Sequence, residues 1–349
     1  LRGAWLLAWS LLTCWQPASA AAATPAEANE ATAWAAAHAV ALPPDIDALT
    51  ANDLGALTRI VGSARVVGLG EGTHGAHEFL IVRNRVFQYL VEELGFTAIV
   101  AETHPVHAQL ADAYVQGEGK LSDAAVEGVF SANRTFSWRE RPLLENYQLL
   151  EWMRNYNAAC EPSRRIHFYG MDLRHPFPGP TPDPKRGENL AGTMGGNVLK
   201  VLHESGPRAR VLVFVHNGHL RAEALAAGAE PASLGQYLRR VLGDELRVIG
   251  SVHDRGQIQD GGNRTVILPA SQAGSVNEVL AATGLPSFTL DLRSQSQALG
   301  RRWFDRDQSF RGSYWQGTSY YSELRPGSAY DALLFIRELS PIRPLTALE

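Results

Sequence analysis

The sequence has little cysteine: Cys14 and Cys160 are the two among 349 residues. It has no long run of lysine or arginine, and its net charge is −4, with a sequence pI of about 6.3. That balance excludes nucleic acid or an anionic membrane surface as the main partner. No G-x-S-x-G elbow occurs, which argues against a serine hydrolase of the usual α/β type. There is no GxxxxGKS/T phosphate loop and no HExxH zinc signature. Nor is there an internal repeat or a linker that would divide the chain into two domains. What is present is a large apolar fraction, 45%, enough for a sizeable core.

The first twenty residues stand apart. Arg2 supplies one positive charge, an apolar run follows from Ala4 to Trp15, and Pro17-Ala-Ser-Ala20 places small residues where a signal peptidase cuts. Residues 1–20 are expected to be a secretory signal, which implies a periplasmic or secreted protein. The run is short for a membrane span. Thr13 before Cys14 is a poor match to a lipoprotein box. With Cys14 removed, Cys160 stands alone and no internal disulfide is expected. Cys160 falls at the end of a predicted helix beside Glu161-Pro162, with no histidine motif near it, and is assigned to helix-end packing rather than to nucleophilic chemistry.

Residues 21–36 are Ala-rich and read as a loose lead-in to one domain over 37–349. Along that domain short apolar runs alternate with helical patterns. Arg65 to Gly70, Thr97 to Ala101, Ile166 to Gly170, Val211 to Val215 and Leu246 to Val252 are predicted strands. Val266 to Leu268, Phe288 to Leu290 and Ala332 to Ile336 could add more. Helices are predicted over Ala76 to Leu94, Pro105 to Gln116, Arg141 to Ala159 and Leu234 to Leu242. This is the signature of βαβ units. The fold class expected is an α/β three-layer sandwich, with a mainly parallel central sheet flanked by helices. The Pro-rich stretch His175 to Pro184 reads as an extended surface loop.

The chemistry collects where the predicted strands end. The first runs into Glu71 and His74, the second into Glu102 and His104, the third into Asp172, the fourth into His216 and His219, and the fifth into His253. In an open parallel sheet the carboxyl ends of the strands form the ligand crevice, so these side chains are expected at one edge. A carboxylate near His74 would raise its basicity and fix its tautomer, as a general base near neutral pH requires. His216 and His219 are donors suited to a developing oxyanion. Asp172, His104 and His253 are candidates for binding substrate. The glycine-rich loop around Glu71 could instead cradle phosphate, but an acidic residue in its middle would repel an anion. The same Glu/His cluster offers zinc-type ligands. No cofactor is required by the reading, and a metal is the alternative.

The helix after this loop carries a further signal. At 100° per residue Phe79, Val82, Val86, Phe87, Leu90 and Leu94 form one apolar stripe, and Arg83 falls within it. A charge on a buried face is costly unless it is paired. Arg83 is therefore expected to be buried on the crevice side, within reach of Glu71 or Glu102.

Gly70-Glu-Gly-Thr-His-Gly-Ala-His-Glu-Phe79, Arg83, Gly95-Phe96, Glu102, Tyr169-Gly-Met-Asp172, His216-Asn-Gly-His219, Leu234-Gly-Gln-Tyr-Leu-Arg239 and Tyr330-Asp-Ala-Leu-Leu-Phe-Ile336 together resemble the erythromycin esterase family. The resemblance implies hydrolysis of an ester or lactone, known best for the macrolactone ring of macrolide antibiotics. It likens His74 to the base that activates water, Glu71, Arg83 and Glu102 to the charged shell around that base, and His216 and His219 to a later histidine pair. It also implies a small-molecule ester substrate. The chain departs from the macrolide esterases between Asp172 and His216, where a long helical insertion is replaced by the Pro-rich loop and one predicted helix. Two other readings are a metal-dependent hydrolase and, from a different class, an exported binding protein for haem or another ligand, which rests on fold analogy alone.

Overall fold

The computed structural model describes residues 24–118, 143–172, 190–226, 228–260, 264–293, 297–315 and 318–345. The expected signal over 1–20, with Cys14, and the Pro-rich loop lie outside the described residues.

The first described element corrects the reading of residues 21–36 as a loose lead-in. Helix α1 (Pro25–His38) opens with a capping box in which Thr24 and Glu27 satisfy each other's backbone N–H groups, and it buries Ala31, Trp34 and Ala35. Alanine suits a helix in contact with a core because it packs closely and loses no side-chain entropy. There follow β1 (Val40–Ala41), α2 (Ala56–Val61), β2 (Val66–Glu71), α3 (His77–Leu94), β3 (Ala98–Ala101), α4 (Pro105–Val115) and α5 (Leu144–Ala159). Gly95, at φ 68°, closes α3 in the left-handed conformation that glycine adopts without strain. Next come β4 (His167–Gly170), α6 (Leu190–Glu204), β5 (Val211–His216), the single-turn α7 (Asn217–Leu220), α8 (Leu234–Leu242) and β6 (Leu246–Gln259). The chain ends with β7 (Thr265–Leu268), α9 (Val276–Ala281), β8 (Ser287–Asp291), α10 (Leu299–Trp303), β9 (Gln308–Trp315), β10 (Thr318–Leu324), α11 (Pro326–Ala329) and β11 (Ala332–Leu339).

The main sheet runs β1-β8-β11-β6-β2-β5-β3-β4, with β7 paired to β6. From β11 to β4 every neighbouring pair is parallel; β1, β8 and β7 join antiparallel. Strands β2 and β3 are buried along their whole length, as strands covered on both faces must be. One core lies between the sheet and α2 to α5, centred on Phe79, Phe87, Leu149 and Phe168. The second lies on the opposite face, with Trp34, Met194, Leu238 and Trp303. The expected three-layer α/β sandwich is the observed fold.

The fifth strand differs from its reading. It does not stop at Val252 but continues to Gln259, because β7 folds back on its far half and pairs Gly256 with Leu268 and Gln259 with Thr265. The polar sequence His253-Asp254-Arg255 looks like a loop, yet its first two side chains are buried. Asp254 is held there by the Ser271 N–H at 2.9 Å. The β9–β10 hairpin has no counterpart in the sequence reading; its strands carry mixed polar and aromatic residues with no run of apolar character.

Candidate active site

The register of β2 and β5 sets Glu71 directly beside His216. From this edge the loop 72–76 carries His74 back over the strand end, and His74 Nδ1 lies 2.7 Å from Glu71 Oε2. Glu71 is buried, whereas the His74 side chain keeps 21% of its surface exposed. The His74 and His216 rings sit 5.2 Å apart.

Glycine makes the crowding possible. A Cβ on Gly70 would stand 2.0 Å from Asn217 Oδ1, and one on Gly75, where φ is +83°, would stand 2.0 Å from the Gln259 carbonyl oxygen. Gly70, Gly72 and Gly75 do fall at the G-x-G-x-x-G spacing of a dinucleotide loop. The space they leave, however, is filled by the protein itself rather than held open for a phosphate.

Glu102, one residue beyond β3, is buried and serves the neighbouring strand. Its Oε2 accepts from the His216 N–H at 3.0 Å, and its Oε1 lies 3.4 Å from His219 Nε2. His216 caps α7: its Nδ1 accepts from the Gly218 N–H at 3.1 Å. Burial, and then the proximity of His74 and His219, hold its pKa well below the usual histidine range, and a backbone hydrogen bond with Gly72 offsets part of this. His216 is therefore neutral, and since Nδ1 accepts, its proton sits on Nε2. Asn217 locks the arrangement across β2. Its side chain donates to the Ser251 carbonyl oxygen at 2.6 Å and accepts from the Ser251 N–H at 3.0 Å.

The structure brings Glu71, His74, Glu102, His216 and His219 together at one sheet edge. Arg83 is fully buried, as its helical phase requires. Its guanidinium lies 5.2 Å from the centre of the Phe214 ring and donates from Nε and Nη2 to Asn84 Oδ1 at 3.0 and 2.8 Å. Burial lowers its pKa to about 10, while the charges of Glu71 and Glu145 favour its cation. Glu145 was not anticipated as a partner. Its signal is present in α5, where Glu145, Leu149, Met153 and Asn157 recur every four residues and are all buried.

The three residues read as substrate-binding candidates fall differently. Asp172 is fully buried, and its N–H donates to the Thr103 carbonyl oxygen at 3.0 Å, beside Glu102. His104 caps α4, its Nδ1 accepting from the Val106 N–H at 3.2 Å. His253 lies inside β6, 1% exposed and edge-on to Phe79, so it sits beneath the site rather than at the predicted strand end. Burial lowers its pKa to about 3. Cys160 is the C-cap of α5, as its position suggested.

Among the described residues no three His, Cys, Asp or Glu side chains form a metal-holding group. The imidazoles instead face carboxylates in pairs, His74 with Glu71 and His219 with Glu102. Beyond α7 a cavity of about 510 Å³ is bounded by Gly218, Arg221, Glu223, Gln236 and Arg325. Its cations are engaged, Arg221 with Glu223 at 2.6 Å and Arg325 with Asp307 at 2.9 Å, so its wall mixes apolar surface with paired charges. No helix among the described residues is long and apolar enough to cross a membrane.

A family model described as erythromycin esterase matches residues 91–182 and 188–339, more than half of the chain. Glu102, His216 and His219 lie within the matched segments; Glu71, His74 and Arg83 precede them. The erythromycin esterase type II of Escherichia coli is 31% identical over 122 residues, covering 35% of this chain and 26% of that protein. The type I enzyme of the same organism is 30% identical over 122 residues, covering 35% and 27%. The chain thus spans about a quarter of the length of these curated relatives. Among solved structures, an erythromycin esterase, EreC, in its open conformation aligns with TM-score 0.61 at 16% identity, over 89% of this chain and 99% of that one. A Bacillus cereus protein aligns with TM-score 0.69 at 21% identity, over 91% and 99%. At such identities the structures establish the fold alone. With the family model matched across both segments, the chain belongs to the erythromycin esterase family.

Proposed function

We propose that this protein hydrolyses an ester or lactone bond of a small molecule, with His74 as the base that activates water. The observation that carries the reading is the 2.7 Å contact between Glu71 and a partly exposed His74 at the strand-end crevice. Glu71 accepts the Nδ1 proton, which leaves Nε2 as the nitrogen that takes a proton from water. The carboxylate favours the imidazolium that forms as this happens. The Glu102-oriented His219 stands beside it as the N–H donor for the oxyanion of the tetrahedral intermediate, while neutral His216, whose Nε2 is buried, holds the strand end in place. Export to the periplasm or beyond is part of the proposal and rests on the N-terminal apolar run.

Turnover of a chromogenic ester by the purified protein tests it, with His74→Ala as the control. The expected loss is about 10²–10⁴-fold in kcat/KM, the usual worth of a positioned base. Near-wild-type activity in that variant overturns the assignment. Activity abolished by chelator and restored by added zinc would instead place the reaction with metal-dependent hydrolysis.

The substrate is proposed to be more hydrophilic than a macrolide. The interval between Asp172 and His216 is short, and the cavity beyond α7 places the ion pairs of Arg221 with Glu223 and Arg325 with Asp307 in its wall. Poor turnover of fourteen-membered macrolides is expected beside good turnover of small polar esters; efficient ring opening of erythromycin contradicts this.

A further inference from the structure

We propose that His77 and Glu145 are positioning residues that set the basicity of His74 through Arg83. This rests on the reading of His74 as the base. His77 belongs to the same sequence motif as His74, yet it lies behind the sheet edge, 2% exposed. Its Nδ1 is 2.5 Å from Glu145 Oε1 and its Nε2 is 2.9 Å from Asp47 Oδ1. Asp47 in turn receives Arg343 Nη2 at 2.8 Å, and the Arg343 backbone N–H donates to Glu145 Oε1 at 3.0 Å. Glu145 is fully buried, and among the described residues its Oε2 has no hydrogen-bond partner.

A second route ties this cluster to Arg83. Asn84 accepts from the guanidinium and donates from Nδ2 to the Glu145 carbonyl oxygen at 2.7 Å, and Arg83 Nη2 lies 3.5 Å from the same oxygen. The charges of Glu71 and Glu145 both bear on Arg83. From the surface carboxylate of Asp47 inward the groups therefore alternate in sign: Asp47 negative, then the buried His77 positive, Glu145 negative, Arg83 positive and Glu71 negative, then His74 at the crevice. Burial alone would lower the pKa of His77, but Glu145 and Asp47 outweigh it and raise it, consistent with a cation at that place. Alternation is what a low-dielectric interior demands of several charges in a row. One consequence is that Glu71 does not hold Arg83 alone. A change in charge at Glu145 or His77 alters the field on the Glu71–His74 pair without touching either residue. Titratable groups near His74 among the described residues include His216, and behind it Glu102 and His219, and neither substitution below contacts these.

The signs follow from Coulomb's law. Glu145→Gln removes an anion and lowers the His74 pKa; His77→Gln removes a cation and raises it. Each shift is expected to be about 0.5 pH unit, for charges separated by more than one side chain in a medium of intermediate dielectric. The readout is the acid limb of the kcat/KM profile of the full chain on a chromogenic ester, with thermal melting to show that each variant is folded. The expected result is opposite displacements, and a limb close to the wild-type position when both substitutions are combined. A limb that stays fixed, or that moves the same way in both folded variants, overturns the proposal. Should either variant fail to fold, nitrogen-15 histidine spectra of the wild-type protein decide: His77 doubly protonated at neutral pH supports the alternation, and a neutral His77 overturns it. The two readings separate cleanly, because retained activity in His74→Ala defeats the base assignment, whereas an inactive His74→Ala with an unmoved acid limb in the other variants defeats only this inference.

Discussion

His74 and His77 sit three residues apart in one motif, each with a carboxylate at hydrogen-bond distance, and the fold gives them opposite conditions. His74 has the Glu71 carboxylate at hydrogen-bond distance and keeps a face towards the crevice. His77 is enclosed between two carboxylates with its second nitrogen also engaged. A histidine beside a carboxylate with an exposed edge can cycle between protonation states at little cost. One held by a buried carboxylate on one side and a surface carboxylate on the other has its cation favoured and becomes part of the frame. Motif membership therefore does not assign a role; the exposure does.

The contrast is sharpest when each histidine's pairing is removed. His74→Ala should lower kcat/KM by about 10²–10⁴-fold while the melting temperature changes little, since a partly exposed side chain contributes modestly to packing. Glu145→Ala should do the reverse in emphasis. It strips His77 and Arg83 of a buried anion, and breaking a buried ionic pair costs about 3–5 kcal/mol, read as a lowered midpoint in denaturant. A Glu145→Ala protein as stable as wild type would show that the inner cluster is not ionic, and the comparison would collapse.

Much of this was legible in the sequence, for reasons that explain the rest. Strands buried on both faces must be continuously apolar, so β2, β3 and β5 announce themselves, and their ends name Glu71, Glu102 and His216. The helical phase of α3 by itself places Arg83 in the core. What escaped depends on partners distant in sequence. Glu145 meets His77 across 68 residues, and nothing local in either segment specifies the other. His253 was read as a strand-end residue because its polar neighbours resemble a loop; only the return of β7 keeps that stretch in the sheet. Helix α1 was hidden by composition, since alanine reads equally as linker and as tightly packed helix.

A smaller effect probes the link between the two regions. Arg83→Lys keeps the charge but loses the planar fork that donates twice to Asn84 Oδ1. One charge-assisted hydrogen bond fewer in the interior is worth about 1.5–3 kcal/mol of stability, and kcat/KM should fall by roughly tenfold as Glu71 loses its fixed counter-charge. The two readouts should move together. Unchanged kcat/KM with reduced stability would make Arg83 a brace for α5 alone and detach the inner cluster from His74.

The smallest effect concerns a third histidine and completes the contrast in sign. His253 is fully buried, its Nδ1 has no hydrogen-bond partner among the described residues, and burial brings its pKa down from 6.5 to about 3. It is a base with a depressed folded pKa, so below pH 6.5 the unfolded chain binds a proton that the folded chain refuses. Stability is then lost as pH falls through the window from 6.5 to 3, by at most about 1.4 kcal/mol per pH unit. His77 has the opposite sign. Its folded pKa is raised, so its contribution is complete below the unfolded value and is lost only as pH rises through the folded one. Acid therefore penalises His253 and leaves His77 unaffected. His253→Leu should flatten the dependence of unfolding free energy on pH between 6.5 and about 5, above the range where carboxylates titrate. A residual slope from His216, whose pKa burial also lowers, should persist. His77→Gln should leave the acid slope unchanged and reduce stability most at low pH. If His253→Leu kept the wild-type slope, the ring would have to be protonated in the folded protein, placing a charge beside Phe79 and within the field of the Arg311 cation.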